Sequence, residues 1–457
     1  MPKRKLQLTD RIVIAGGGVG GLAAALALQT AGFSNVVVLE RDAHFSVRRH
    51  GYGMTLSTTN SGLGALGILD ECMRLDVPSE SHYVFAESGE VLGYFGNAFI
   101  GGDCGQRGNL RVPRQQLRRL LLERLAPGTV RWGCHVSSYA EEGAGGGGEA
   151  APRVAVAVSD GSREDAALLV AADGIHSAIR KQRSDNELNY LGVLLVVGIT
   201  ALRHPLIERR GFYTLDAEQG ARLFTMPFTA PDASAATAGG VGQTAEATHM
   251  WQLSIAMDEA MAKQLSKGDA EALSAELLRR CAHWHEPVCE MIRTTPAASF
   301  FSTPLYDRDA LPKLPKGKQT CVTFVGDAAH PMSPFKGQGA NSALADAPGL
   351  AKWLQKAPVS TAIACYEREM IARSNPRVMA SREAATKLHT KAVTGEKHGV
   401  AGAGEEAQVV ALLRALVAEK VDASSGAGLD DAVRAQIARL AKKRPLSRDR
   451  VHTASDL

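Results

Sequence analysis

The chain has 457 residues, room for two or three domains of roughly 150 residues and for a core able to enclose a sizeable ligand. Apolar residues make up 45% and charged residues 22%, which excludes wholesale disorder, and a net charge of +4 gives no basis for a nucleic-acid surface. Glycine occurs 46 times with no collagen-like period, so some glycines must be placed for a reason. The seven cysteines are scattered, with no Cys-x-x-Cys spacing, and suit a reducing compartment. The start, Met1-Pro2-Lys3-Arg4-Lys5, lacks the apolar stretch of a secretory signal. The longest apolar run, Tyr190 to Leu202, is 13 residues, short of the ~20 a spanning helix needs. The expectation is a soluble, cytoplasmic protein with no nucleic-acid partner and no transmembrane segment.

In chain order, Arg11 to Ala15 reads as a strand buried on both faces, Leu22 to Gln29 as a helix, and Val36 to Glu40 as a second buried strand, together a parallel strand-helix-strand unit. Leu110 to Leu125 reads as one amphipathic helix with Pro113 near its start. Glu141 to Ala151 and Thr229 to Thr248 read as long surface loops. Strand-like runs follow at Gly192 to Thr200, Gly211 to Leu215, Ala221 to Phe228 and Met250 to Ala256, then a helical stretch from Asp258 to Arg293, which suggests an antiparallel sheet covered by a helix. From Ser342 onward the composition is helical, with Pro348 expected to kink the helix just past Asp346 by freeing the carbonyl of Leu344.

Three motifs carry chemistry. Gly16-Gly17-Gly18-Val19-Gly20-Gly21 joins a strand to a helix, and Glu40 ends the next strand 19 residues on. Gly16 suits a tight turn, Gly18 a close approach of backbone to a pyrophosphate, and Gly21 close helix–strand packing. The helix start offers free N–H groups and a positive dipole end to phosphate, and Glu40 an acceptor for a ribose. Leu168 to Arg180, containing Asp173-Gly174, and Val322 to Pro331, containing Gly326-Asp327, each read as a buried strand running into a loop at its carboxyl end, where open α/β sheets bind ligands.

At these residues, and at Pro334-Phe335-Lys336-Gly337-Gln338-Gly339-Ala340-Asn341 and Val112 to Arg118, the sequence resembles the single-component, class A, FAD-dependent aromatic hydroxylases, of the p-hydroxybenzoate hydroxylase type. The resemblance spans about Arg11 to Leu354. It implies an α/β fold: a Rossmann-like FAD-binding domain interleaved with an antiparallel-sheet substrate domain and followed by C-terminal helices. The expected boundaries are 9–187 and 304–355 for the FAD-binding domain, 188–303 for the substrate domain, and 356–457 for a helical region and tail. It also implies FAD as cofactor, NADPH or NADH as transient donor, and O2 as co-substrate. The expected reaction is hydroxylation of an aromatic or polycyclic small molecule through a flavin C4a-hydroperoxide.

Carried over residue by residue, the resemblance implies that Asp327 bonds the FAD ribitol and Arg114 contacts the ribityl and pyrophosphate region. Asp173 and Gly174 lie near the pyrophosphate and help admit the nicotinamide donor. Gly337, Gln338, Gly339, Ala340 and Asn341 open a helix facing the flavin pyrimidine edge, where a helix N-terminus stabilises an anionic ring. Val19, Gly20, Arg41 and Gly326 complete the cofactor set. Lys336 and Pro334 are expected near the flavin ring without an assigned catalytic role; the ammonium of Lys336 either reaches solvent or stabilises anionic flavin or a substrate carboxylate. Of Arg114 and Arg118, one helical turn apart, at least one is expected to be solvated. Substrate contacts are expected from Tyr213, Arg222, Phe224, Met226 and Phe228, not all of which can share a face. Cys281, His283, His285 and Cys289 do not fall on one helix side, so no metal site is expected, and His330 is expected to bond locally.

Competing readings remain at this stage. A flavin-dependent halogenase shares the fold, but its Trp-x-Trp-x-Ile-Pro signature is missing. A flavin oxidase or reductase, or a non-catalytic FAD-binding protein, stays open. A simple NAD-dependent dehydrogenase accounts for Gly16 to Glu40 but not for the later motifs.

Overall fold

The computed structural model describes residues 5–47, 52–77, 79, 82–89, 91–95, 108–142, 153–184, 186–204, 206–207, 211–229, 247–314 and 319–390. The expected surface loops at 141–151 and 229–248 and the tail beyond 390 fall largely or wholly outside them. The chain divides into two compact units, Met1–Leu75 with Arg114–Asn189 and Tyr306–Arg382, and Asp76–Pro113 with Tyr190–Leu305 and Glu383–Leu457.

The first unit is built on a five-stranded sheet in the order Val322–Phe324, Leu168–Ala171, Ile12–Ala15, Val36–Glu40, Val130–Trp132, with every pair parallel. Its inner strands are runs of Ile, Val, Leu and Ala buried on both faces, as a parallel sheet covered by helices requires. The Val19–Thr30 helix is Ala- and Leu-rich and buried along most of its length, so its small residues let neighbouring backbone come close. A Cβ on Gly20 would stand 3.6 Å from the side chain of Ala343 in the Gly339–Lys356 helix. The same unit also holds a three-stranded antiparallel sheet, Val136–Glu142, Arg153–Val158 and Arg163–Ala166.

The stretch expected as one helix from Leu110 to Leu125 is instead a strand, Asn109–Pro113, followed by a helix, Arg114–Glu123. The residue before a proline is pushed out of the helical region, so Val112 stays extended and the helix begins only after Pro113. The Gly339–Lys356 helix is continuous across Pro348. The carbonyl of Leu344, which loses its helical donor there, lies where a Cβ on Gly62 would come within 2.3 Å, so only glycine allows this approach.

The second unit holds a seven-stranded sheet in the order Phe301–Asp307, Asn189–Thr200, Thr248–Ala256, Ala221–Thr229, Gly211–Asp216, His82–Ala86, Val91–Phe95. From Asn189–Thr200 to Val91–Phe95 the pairs are antiparallel except that His82–Ala86 runs parallel to Gly211–Asp216. Strand alternation sends Phe212, Leu223, Trp251, Leu253 and Ile255 to one face, where they pack with Leu273, Leu277, Trp284, Val288 and Ile292. The single helical stretch expected from Asp258 to Arg293 is three helices, Glu259–Lys267, Ala270–Arg280 and Val288–Arg293. Gly268 ends the first, Asp258 and Asp269 cap the first and second through their carboxylates, and Pro287 precedes the third. The final helix, Val359–Leu388, is 30 residues long. No helix among the described residues is long and apolar enough to cross a membrane.

Candidate functional site

Because the strands Ile12–Ala15, Leu168–Ala171 and Val322–Phe324 are adjacent and parallel, the loops that leave their carboxyl ends share one edge of the sheet. Those loops carry Gly16–Gly21, Asp173-Gly174 and Gly326-Asp327. Gly16 has φ +107°, and a Cβ there would stand 2.5 Å from the carbonyl oxygen of Ala172 and 3.1 Å from Cα of Asp173, so the turn abuts the Asp173 loop. A Cβ on Gly21 would stand 1.9 Å from the oxygen of Gly16. Gly18, by contrast, has no atom within 4 Å of the Cβ position, and its helix carries no side-chain cap.

Glu40, which ends its strand buried, accepts from the N–H of Gly17 at 2.5 Å and from that of Asp42 at 2.9 Å. Arg118 is 1% exposed and donates Nε and Nη2 to the oxygen of Gly17 at 3.1 and 3.0 Å. The Gly17 peptide is thus held from both sides. Arg118 is neither solvated nor spare, and the helix spacing alone gave no sign of this, because its partner is a backbone oxygen 101 residues away. Arg114 is half-buried; its backbone N–H donates to the oxygen of Tyr52 at 3.0 Å, and its guanidinium lies 5.8 Å from the Tyr52 ring centroid. Tyr52 was not anticipated from sequence.

Asp173 uses Oδ2 to accept from the N–H groups of Ala178 and Ile179, at 2.9 and 3.5 Å, while its buried Oδ1 has no partner. Loss of water raises its carboxyl above the ordinary range. Asp327 sits beside Gly326, whose φ is +59°, with an exposed side chain. Desolvation lifts its carboxyl, His330 and Arg114 oppose this, and Asp346 adds to it. The loop itself is tied down by Asp346, whose Oδ2 accepts from the N–H of Gly326 at 2.9 Å and from Nε2 of His330 at 2.7 Å. His330 therefore bonds locally, as expected.

The turn Pro334–Lys336 ends at Gly337 with φ +60°, and the Gly339–Lys356 helix begins behind it without a side-chain cap. Ser333 anchors this turn by donating to the oxygen of Ser381 at 2.9 Å. Asn341 is fully engaged: Nδ2 donates to the oxygens of Thr55 and Gly337, and Oδ1 accepts from the N–H of Ser57 and from Asn60. Its side chain fixes the helix start against the Gly53–Ser57 strand. Lys336 is half-buried at the end of the turn.

In the second unit, Tyr213, Arg222 and Phe224 come together. The Arg222 guanidinium lies 4.6 Å from the Tyr213 ring centroid, and Tyr213 stacks on Phe224 at 4.8 Å. Burial depresses the proton affinity of Arg222 and raises that of the Tyr213 phenol, with the two partly compensating each other. Met226 continues the alternation and is 2% exposed, whereas Phe228 lies at a register shift between Pro227 and Thr229 that breaks it. His82 stacks on Phe224 at 6.0 Å and meets Nη2 of Arg111 at 3.4 Å. Both were missed: His82 reaches this sheet only by the pairing of its strand with Gly211–Asp216, and Arg111 lies on the separate Asn109–Pro113 strand. The four Cys and His residues between 281 and 289 are engaged separately: His283 with Asp216, His285 with Thr214, and Cys289 with the oxygen of Cys281.

The orphaned Asp173 Oδ1, the open space at Gly18 and two uncapped helix starts fit a ligand with a diphosphate and an anionic ring. Fold and site together define a dinucleotide-binding α/β protein of the flavoprotein type. Residues 9–369 match the family described as the FAD binding domain, and the chain belongs to it. It is 30% identical to the monooxygenase cfoF of Aspergillus candidus, over 83% of this chain and 91% of that one. It is 28% identical to the phenazine 1,6-dicarboxylic acid hydroxylase PhzS of Lysobacter antibioticus, over 75% and 82%. The fold is that of Klebsiella pneumoniae HpxO, solved with FAD and uric acid, at TM-score 0.68 and 22% identity over 94% and 97% of the chains. The protein is a flavoprotein oxidoreductase of the single-component FAD-dependent monooxygenase class.

Proposed function

We propose that this enzyme uses NADPH or NADH and O2 to hydroxylate an aromatic or polycyclic small molecule. The observation that carries the reading is the convergence of three ligand-type loops on one edge of a parallel sheet, next to an uncapped helix start. Bound FAD supplies the redox and oxygen-transfer chemistry.

The chain's own residues bind and orient. Gly16, Gly18, Val19, Gly20 and Gly21 would present N–H groups to the diphosphate, with Glu40 and Arg41 at the adenosine ribose. Because Glu40 already holds two N–H groups, its ribose contact would use its remaining lone pairs. Asp327 would accept from the ribityl hydroxyls, Arg114 would contact the ribityl and diphosphate region, and Asp173 and Gly174 would meet the diphosphate and the donor. The N–H groups of Gly337, Gln338, Gly339, Ala340 and Asn341, with Gly326 behind them, would stabilise negative charge on the reduced ring. Pro334 and Lys336 would border that ring and help exclude water. Tyr213, Arg222, Phe224, Met226 and Phe228 remain the proposed substrate contacts, with His82 and Arg111 added. Reduced nicotinamide and free thiols both suit the cytoplasm as the compartment.

Purified protein with flavin absorbance supports the reading; a colourless chain that takes up no FAD refutes it. NAD(P)H oxidation and oxygen uptake would then be measured with phenols, anthranilates, quinolones and tetracyclines. A stoichiometric oxygenated product identifies a monooxygenase, whereas hydrogen peroxide alone identifies an oxidase.

A further inference from the structure

Arg308 is 2% exposed, yet its Nε and Nη1 have no hydrogen-bond partner. A buried cation with unused donors is costly, so a fold that keeps one does so where a ligand can complete it. The carboxylates on either side in sequence are already taken: Asp307 accepts from Nε and Nη2 of Arg382 at 2.7 and 2.8 Å, and Asp309 from Nη2 of Arg382 at 2.7 Å. Arg180 fixes the same backbone by donating to the oxygens of Asp309, at 2.5 Å, and Ala328, at 3.2 Å. Arg308 interacts electrostatically with Asp173, whose buried Oδ1 also has no partner and whose loop abuts the Gly16 turn. His176, three residues beyond Asp173, lies in the combined field of Lys181, Arg308 and Arg41; burial and these cations depress its imidazole. His176, Lys181 and Arg41 are exposed, and Lys181 and Arg41 carry the positive charge among them.

We propose that Arg308 is the floor of a phosphate subsite in the dinucleotide site, with Arg41, His176 and Lys181 at its rim. One of the unused donors, Nε or Nη1, would donate a charge-assisted hydrogen bond to a phosphate oxygen. This rests on the flavoprotein reading, and the phosphate belongs either to FAD or to the nicotinamide donor.

Calorimetric titration separates these sources. Flavin-stripped chain is titrated with FAD, and holoenzyme with NADP+, NAD+ and 2′,5′-ADP, for wild type, Arg308→Met and Arg308→Lys. Loss of a charge-assisted contact predicts affinity about 10- to 100-fold weaker for one ligand class in Arg308→Met, with Arg308→Lys between the two. Weakened FAD assigns the phosphate to the flavin; weakened NADP+ and 2′,5′-ADP with FAD unchanged assign it to the donor. A folded Arg308→Met that binds every ligand within twofold of wild type overturns the subsite. Should that variant not fold, Arg308→Lys and competition by inorganic pyrophosphate on the wild type decide: no weakening and no displacement overturn it. A chain that never takes up FAD refutes the flavoprotein reading, whereas a yellow, NAD(P)H-oxidising enzyme indifferent to Arg308→Met refutes the subsite alone.

Discussion

Asp346→Asn tests how the Gly326–Asp327 loop is held. The carboxylate is fully shielded and accepts from the N–H of Gly326, from Nε2 of His330 and, at 2.5 Å, from Arg373. Asparagine keeps the volume and one acceptor but removes the charge and turns an NH2 toward groups that are themselves donors. Each charge-assisted bond contributes about 1.5–3 kcal/mol. Arg373 is 28% exposed and regains part of its share from water, so the net loss is about 2–4 kcal/mol. At about 2.1 cal/mol/K of unfolding entropy per residue, that lowers Tm by roughly 2–5 °C. A second effect has the opposite sense. Asp346 is one of the groups that raise the proton affinity of Asp327, so its neutralisation leaves Asp327 ionised, and able to accept from a ribityl hydroxyl, to lower pH. FAD affinity, read by quenching of flavin fluorescence from pH 4 to 7, should be weaker at pH 7 while its acid limb moves to lower pH. A variant with unchanged Tm and FAD affinity, or with an acid limb moved upward, would refute the reasoning.

Gly21→Ala places a methyl 1.9 Å from the oxygen of Gly16; the overpacking costs about 1–3 kcal/mol, and the protein should purify with little FAD, which the ratio of flavin to protein absorbance reads directly. His389 is buried, bonds Ser254 and the oxygen of Ala385, and has its imidazole pushed down to about 4, chiefly by burial. The unfolded chain therefore binds the extra proton first, and stability should fall by up to ~3 kcal/mol as pH drops from about 6.5 to about 4. His389→Gln should flatten that slope in urea titrations; parallel profiles would count against the assignment. Arg222→Met, which removes the cation stacked on Tyr213, should raise the substrate KM about tenfold or more with FAD content unchanged, and an unaltered KM would remove Arg222 from the substrate set. Lys336→Ala should slow flavin reduction or weaken substrate binding if the ammonium faces the ring; unchanged reduction, reoxidation and affinity would assign it to solvent.

The parallel core was legible because burial on both faces leaves short branched runs such as Ile12-Val13-Ile14 and Leu168-Leu169-Val170, a pattern few other environments produce. The glycine turn was legible because its glycines stand together between a strand and a helix, and the crowding of Gly21 against the oxygen of Gly16 is local. The helix covering the second sheet was less so: Gly268, Asp269 and Pro287 all signal breaks, but their weight depends on what each segment packs against. The strand at Asn109–Pro113 was hidden by leucines that continue the helical spacing of the next element.

Sequence alone thus determined the family and the cofactor type, because the glycine turn, the buried strand runs and the later Gly-Asp motifs each leave a local pattern in the chain. Tertiary structure decided which side chains hold the site in place. Arg118 reaching the oxygen of Gly17 and Asp346 pinning Gly326 are contacts across 101 and 20 residues. Such partners leave no periodicity behind, since they depend on where loops from separate strands meet in space and on which buried charges find acceptors there.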